Sequence, residues 1–386
     1  YYGTKNAPLI IGGRYGLGSK DFVPDDVMAV FNNLKSENPI NDFTVSIIDD
    51  VTNKSLPKSK ENINPTPKGT IACKFWGFGS DGTVGANKSA IKIIGDNTDF
   101  YTQAYFEYDA KKSGGLTISH LRFGISPIRE PYTINKADFI ACHNQSYVNK
   151  YNILEGIKKG GKFLLNSIWN EDELNKQLPP KLKRDIINNE IEFYTINAIE
   201  IAKEIGLSGR INMIMQAAFF KLTNILPIEE VAKYLKEEVK KSYGNKGQSV
   251  VDMNCIAIDK GFDSIKKIRI PESWKNAKDA EVKNNPDIPE FIGKVVFAMN
   301  RQEGDNLPVS AFNNHEDGSF PLGATAWEKR EISIEVPKWD AIKCIQCNRC
   351  SFVCPHAVIR PTLITDEEIK NAPVDFVSVK ATRYDD

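Results

Sequence analysis

Four of the seven cysteines fall within a single short run, Cys344-Ile345-Gln346-Cys347-Asn348-Arg349-Cys350-Ser351-Phe352-Val353-Cys354, and Pro355 follows at once. No other stretch constrains the fold as tightly. The spacing C-x2-C-x2-C-x3-C-P lets three thiolates face one cube of iron and sulfide while the proline turns the chain away. Structural zinc, the main competitor, usually draws two ligand pairs from separated segments. Four unliganded thiols side by side are the weakest of the three readings. Cys344, Cys347, Cys350 and Cys354 are therefore the candidate ligands of a [4Fe–4S] cluster.

In two-cluster proteins built on such runs, the fourth cysteine serves the other cluster, and a second run returns a ligand. Here no cysteine follows Cys354. One iron corner would lack its partner, and Cys354 would lack most of its cluster. The first residue is Tyr1 rather than Met. Together these features lead us to expect an internal stretch of a longer protein, inactive alone and unable to hold two stable clusters. Cys73, Cys142 and Cys255 lie in or beside apolar stretches, as inert core cysteines do. That distribution suits a reducing interior, the cytoplasm or an equivalent anaerobic compartment, and not a disulfide framework.

At 386 residues the chain exceeds what one core organises, so roughly two to four domains are expected. Fifty basic residues balance fifty acidic ones. The balance argues against nucleic acid as the main partner, although a local basic patch could hold a phosphorylated ligand. No apolar run approaches the roughly 18 residues of a membrane span, and no signal peptide is visible.

Residues 1–58 read as an αβ unit: PLIIGGRYG, a helical pattern from Asp25 to Phe31 with Pro24 near its start, and a buried strand at FTVSIID. Lys54–Lys68, rich in Pro, Lys, Asn and Ser, reads as a linker. From Gly69 to about Lys267 strands and helices alternate. IACKFWGFG, QAYFEYD, TISHLRFG, ADFIACHN and KFLLNS read as strands; ANKSAIKIIGD and ILEGIKKGG read as helices. IEFYTINAIEIAKEIGL switches from strand to helix, and residues 210–245 are mainly helical, with NMIMQAAFF a buried helix. This alternation predicts a layered α/β domain with a largely parallel sheet. Pro271 to Phe320 reads as a connecting arm, and EISIEV as a short strand before the cysteines.

The second informative stretch is Phe75-Trp76-Gly77-Phe78-Gly79-Ser80-Asp81-Gly82-Thr83-Val84-Gly85-Ala86-Asn87-Lys88. Gly77, Gly79 and Gly82 satisfy G-x-G-x-x-G between a strand and a helix, where backbone amides can meet phosphate oxygens. The motif alone is a weak signal, and a purely structural turn competes with it. A nicotinamide or flavin site would want an acidic residue at the end of the next strand, and Glu107 or Asp109 could serve. A coenzyme A site would want cations, and Lys111 and Lys112 lie at the same place. The pattern does not choose between them.

No GDG…NN pattern for thiamine diphosphate and its magnesium is apparent. His120, His143, His315 and His356 sit in no recognisable nucleophile or metal-protease setting and read as structural. Asp49 and Asp50 read as turn or capping residues. No catalytic residue is assigned within this chain.

GRYGLGSKDF (Gly13 to Phe22), FWGFGSDGTVGANK (Phe75 to Lys88), YFEYDAKKSGGLTISHLRFG (Tyr105 to Gly124) and CIQCNRCSFVCPHAVIRP (Cys344 to Pro361) occur in this order. In that order they closely resemble the single-chain pyruvate:ferredoxin or pyruvate:flavodoxin oxidoreductases, along essentially the whole chain. The resemblance implies five parts. Residues 1–58 correspond to the end of a transketolase-C-terminal-like α/β domain and 59–69 to a linker. Residues 70–275 correspond to a layered α/β/α gamma-type domain that binds coenzyme A, 276–322 to a connecting arm, and 323–386 to the first half of a two-cluster ferredoxin-like [4Fe–4S] domain.

It also implies oxidative decarboxylation of pyruvate with coenzyme A, giving acetyl-CoA, carbon dioxide and a reduced ferredoxin or flavodoxin, in a homodimer. Thiamine diphosphate and Mg would be bound by domains outside this stretch. By the same resemblance Gly79, Ser80, Asp81, Gly82, Asn87, Lys112 and Asn212 contact coenzyme A, which tips the glycine loop away from nicotinamide. The alternatives are another 2-oxoacid:ferredoxin oxidoreductase, a stand-alone iron–sulfur carrier, and a nicotinamide-binding reductase built on the loop.

Overall fold

A computed structural model describes residues 7–15, 20–59, 63–110, 114–279, 287–328 and 337–382. The chain divides into two compact units, Tyr1–Arg330 and Glu331–Asp386.

The first unit begins with a small parallel sheet. Strands β1 (Gly13–Arg14), β2 (Phe43–Val45) and β3 (Ser55–Leu56) lie in that order, and helix α1 (Pro24–Lys35) packs on them. Pro24 supplies the fixed φ of a first helical position, and the Asp26 carboxylate accepts the Val23 N–H at 3.1 Å. The apolar stripe of α1 meets Phe43, Val45 and Leu56 through Ala29. The strand expected along FTVSIID stops at Val45 because Ser46 adopts a left-handed backbone (φ 68°). Asp49 then accepts the N–H groups of Val51, Thr52 and Lys54 and turns the chain into β3, inside the stretch read as a linker.

The layered domain follows. Its elements are β4 (Ile71–Phe78), α2 (Thr83–Asn97), β5 (Tyr101–Tyr108), β6 (Leu116–Gly124), β7 (Ala137–Cys142), β8 (Ile157–Asn166), α3 (Glu171–Gln177), α4 (Pro180–Asn188), β9 (Glu192–Ile196), α5 (Ala198–Ile205), α6 (Asn212–Thr223), α7 (Ile228–Tyr243), α8 (Gln248–Asp263) and β10 (Lys266–Lys267). The sheet order is β10-β9-β8-β7-β4-β6-β5. Strands β4, β7, β8 and β9 run parallel, whereas β6, β5 and β10 pair antiparallel. The sheet is thus mixed rather than largely parallel. The physical reason is loop length: the short link between β5 and β6 can close a hairpin but cannot carry a helical crossover.

ILEGIKKGG is not a helix. Its first part is a turn and its second begins β8, because Gly156 and Gly160 take left-handed backbone (φ 75° and 72°). Period-2 alternation sorts the strand residues to two faces. Phe75, Leu121, Phe139 and Leu164 meet α2 and α5–α8. Trp76, Ile140, Phe163 and Phe193 meet α3, α4 and Trp274. Helix α6 is buried from Met213 to Phe220, and Phe219 packs 5.0 Å from Phe75 and 5.4 Å from Phe139. Each such ring contributes roughly 1.5–3 kcal/mol through burial.

Beyond α8 the chain is mostly turns. A π-helical turn (Ile292–Val296) runs into α9 (Phe297–Asn300). Residues after it return to the small sheet: Pro308 bridges Ile48, Lys20 pairs with Asp305 at 3.0 Å, and Asp50 accepts the Ser310 N–H at 2.9 Å. The second unit contains α10 (Arg349–Val353) and α11 (Asp366–Lys370). EISIEV lies outside the described residues. Among the described residues no helix is long and apolar enough to cross a membrane.

Candidate functional site

Strand β4 delivers the chain to the carboxyl edge of the sheet, where the loop from Phe78 to Thr83 carries it into α2. Asp81 organises that loop. Its carboxylate accepts the Phe78 N–H at 2.9 Å, the Thr83 N–H at 2.7 Å and the Thr83 hydroxyl at 2.7 Å. One side chain therefore ties the entry of the loop to its exit. Left-handed backbone at Ser80 (φ 73°) and Gly82 (φ 86°) closes the turn. Glycine adopts that conformation freely and serine does not, so the loop needs the bonds that hold it. Gly79 donates to the Gly115 carbonyl at 2.7 Å, which ties the loop to the β5–β6 hairpin. Asn212, at the start of α6, donates its amide to the Asp81 carbonyl at 2.8 Å.

A cavity of about 270 Å³ opens beside this loop. Gly79, Ser80, Asp81 and Gly82 form one wall; Tyr108, Asp109, Gly115 and Leu116 form the other. Among the described residues no acceptor takes the N–H groups of Ser80 and Gly82. A larger cavity of about 450 Å³ lies elsewhere, lined by Val51, Leu307, Pro308 and Phe312 among others, and it includes no part of the loop.

A family model described as pyruvate ferredoxin/flavodoxin oxidoreductase matches residues 72–264, half of the chain, and so spans both walls of this cavity. The chain belongs to that family. Models described as a domain of unknown function and as a 4Fe-4S binding domain match residues 277–333 and 337–360. The pyruvate-flavodoxin oxidoreductase of Enterobacter agglomerans is 55% identical over 100% of this chain and 33% of its own length. The Klebsiella pneumoniae pyruvate-flavodoxin oxidoreductase is 54% identical, over 99% of this chain and 32% of that one. The pyruvate:ferredoxin oxidoreductase of Moorella thermoacetica is 54% identical, over 97% and 32%. The chain spans about a third of the length of these curated relatives.

Of the residues that resemblance to the pyruvate ferredoxin/flavodoxin oxidoreductases assigned to coenzyme A, Gly79, Ser80, Asp81 and Gly82 line the cavity. The Asp81 carboxylate is turned into the loop, so its part is to shape the turn. Asn212 braces the same turn from α6. Asn87 sits on the buried side of α2, is 4% exposed, and has no partner for its Nδ2 among the described residues. Lys112 lies outside the described residues, as does Lys111. Glu107, one of the two acidic residues a nicotinamide site could use, accepts a hydrogen bond from His120 Nε2 at 2.7 Å. The His120 Nδ1 takes the Ile134 N–H at 3.0 Å, which leaves the ring proton on Nε2.

The cysteine run belongs to the second unit. Left-handed backbone at Gln346 (φ 55°) and Asn348 (φ 58°) coils the chain between its first cysteines. Cys344 Sγ accepts the Gln346 N–H at 3.4 Å, and Cys354 Sγ accepts the Val358 N–H at 3.4 Å. The Trp339 and Gln346 N–H groups hold the Cys344 thiol below its ordinary pKa. Backbone N–H groups of Ile359, Val358 and His356 do the same for Cys354. Among the described residues no three His, Cys, Asp or Glu side chains converge as a closed metal cage. What fits an iron–sulfur group is the donor set: four thiols at this spacing, two of them biased toward thiolate by N–H donors.

Sequence reasoning gave Thr83 no role and read His143 as structural. Thr83 Oγ1 lies 2.9 Å from His143 Nδ1, and both residues are buried. Sixty positions separate them, and only the sheet order, which sets β7 beside β4, brings them together.

Proposed function

We propose that this chain provides the coenzyme-A-binding domain and part of the iron–sulfur electron path of a pyruvate:ferredoxin or pyruvate:flavodoxin oxidoreductase. The overall reaction is pyruvate plus coenzyme A to acetyl-CoA and carbon dioxide, with two electrons passed to ferredoxin or flavodoxin. The observation that carries this reading is identity of 54–55% with three proteins of those names along nearly the whole chain.

In this reading residues 70–275 bind coenzyme A. The N–H groups of Ser80 and Gly82, which no described residue accepts, hydrogen-bond it, the aromatic and aliphatic wall of Tyr108 and Leu116 packs on it, and Lys112 supplies charge. Asp81 and Asn212 keep the loop in shape. Glu107 is engaged by His120, but Asp109 lines the cavity, so the choice of coenzyme A over a nicotinamide rests on the similarity to the pyruvate oxidoreductases. Cys344, Cys347 and Cys350 would hold one [4Fe–4S] cluster and Cys354 would serve a second; such clusters accept and pass single electrons when bound. Thiamine diphosphate and Mg would be held by the share of the longer relatives that this chain does not match. The compartment is reducing, as the cysteines suggest.

Hydrogen exchange of the chain with and without coenzyme A tests the assignment. Protection confined to peptides spanning residues 76–88 and 105–117 is expected. Protection elsewhere, or none at saturating ligand, would contradict it.

A further inference from the structure

Strands β4 and β7 are neighbours, yet their connections leave over opposite faces: α2 packs on one side of the sheet and the turn at Tyr147 and Val148 on the other. Such a switch point is where open α/β sheets usually offer a ligand crevice at the carboxyl ends of the strands. Here a buried polar chain bridges that point. Thr83, the first residue of α2, is 0% exposed, and His143, just past β7, is 6% exposed. The Thr83 hydroxyl lies 2.7 Å from Asp81 Oδ2 and 2.9 Å from His143 Nδ1.

The direction of these bonds is set by proton count. An ionised carboxylate only accepts, so Thr83 gives its single hydroxyl proton to Asp81 and must receive one from His143 Nδ1–H. His143 is held through its backbone and its ring. Its backbone N–H donates to the Trp76 carbonyl at 2.9 Å, its carbonyl accepts the Asn166 amide at 2.8 Å, and its edge meets Phe75 with centroids 6.4 Å apart. Burial pushes the His143 pKa below the ordinary range, and the Asp81 charge opposes that only in part. Neither Thr83 nor His143 lines the cavity.

We propose that His143 is a positioning residue for the ligand of the glycine loop: through Thr83 it fixes the Asp81 carboxylate, which ties both ends of the loop and so sets the aim of the Ser80 and Gly82 amides. The ligand class, a coenzyme A, rests on the reading above; the hydrogen-bonded chain does not. Loss of the Thr83 hydroxyl leaves Asp81 held by the Phe78 and Thr83 N–H groups alone, and loss of the His143 donor frees that hydroxyl to turn away; either loosens the hold on the strained backbone at Ser80.

The test uses the whole chain. Selective ¹⁵N-histidine labelling reads the tautomer, and a His143 ring protonated on Nε2 alone would overturn the proposal without any variant. Thr83→Val removes the hydroxyl and keeps the shape, Thr83→Ser restores it, and His143→Ala removes the ring donor. Without ligand, amide exchange at Phe78 and Thr83 is expected to quicken about tenfold or more in Thr83→Val, which loses a bond to a charged carboxylate, and by a few-fold in His143→Ala, which loses a bond between neutral groups. Thr83→Ser is expected to return it toward the parent value, and coenzyme A affinity to follow the same order. Parent-like exchange in either Thr83→Val or His143→Ala would overturn the proposal. A parent chain that binds no coenzyme A would overturn the ligand reading instead, and the exchange rates would still decide the role of His143.

Discussion

Gly82→Ala is the sharpest perturbation of the loop, because two separate costs can be read from its surroundings. Gly82 has φ 86°, and an alanine held there in left-handed backbone costs about 1–2 kcal/mol. The added Cβ would overlap Asn212 Nδ2, so the Asn212 side chain must swing away. That breaks its 2.8 Å bond to the Asp81 carbonyl, worth about 1 kcal/mol. The sum is about 2–3 kcal/mol, which lowers the thermal midpoint of a domain of this size by about 5–10 °C. The same substitution in an Asn212→Ala background meets neither the overlap nor the bond and should cost only the backbone strain. The two backgrounds therefore differ by about 1 kcal/mol in a double-mutant cycle. Thermal unfolding followed by far-UV circular dichroism measures all four proteins. A midpoint loss under about 2 °C, or equal losses in both backgrounds, would refute the reasoning.

Other outcomes follow from the same features. Cys350→Ser is expected to cut iron incorporation on anaerobic reconstitution sharply and to leave coenzyme A affinity at the parent value; full iron content in the variant would remove Cys350 from the ligand set. Iodoacetamide at neutral pH is expected to modify Cys344 and Cys354 readily, since N–H donors lower their thiols, and to spare Cys142, whose pKa burial raises to about 12. Labelling of Cys142 ahead of Cys344 in the folded chain would contradict this. Burial lowers the His120 pKa from its ordinary 6.5, with Glu107 opposing, and His143 is lowered likewise. Below about pH 6.5 the unfolded chain binds protons that the folded one refuses, so the contribution is full above that pH and is lost as pH falls. The thermal midpoint should be level from about pH 7 to 8 and drop toward pH 5.5; a rise over that interval would show the sign to be wrong.

The layered α/β character was legible because its strands are short β-branched or aromatic runs cut by Gly and Pro. The buried α6 was legible because NMIMQAAFF carries no charge. What misled was local ambiguity. ILEGIKKGG offers too few residues to separate a period of 3.6 from one of 2, and glycines with positive φ decided it as turn and strand. Strand direction was hidden for another reason. It depends on whether a connection is a hairpin or a crossover, and the antiparallel placement of β6 and β5 showed only in the sheet. The loop residues Gly79 to Gly82 stood out by spacing, but the inward turn of the Asp81 carboxylate did not, since it depends on Thr83 and on His143 from a distant strand. The cysteine run was legible from spacing alone, whereas the N–H donors that favour thiolate at Cys344 and Cys354 come from the way the chain folds around them.

Calorimetric titration of the chain with coenzyme A, with NADH in parallel, tests the central claim most directly. Saturable binding of coenzyme A with no heat from NADH is the result expected of a glycine loop serving a pyruvate ferredoxin/flavodoxin oxidoreductase. Tight binding of NADH without coenzyme A, or silence from both ligands, would contradict the assignment of the cavity between Gly79 and Tyr108.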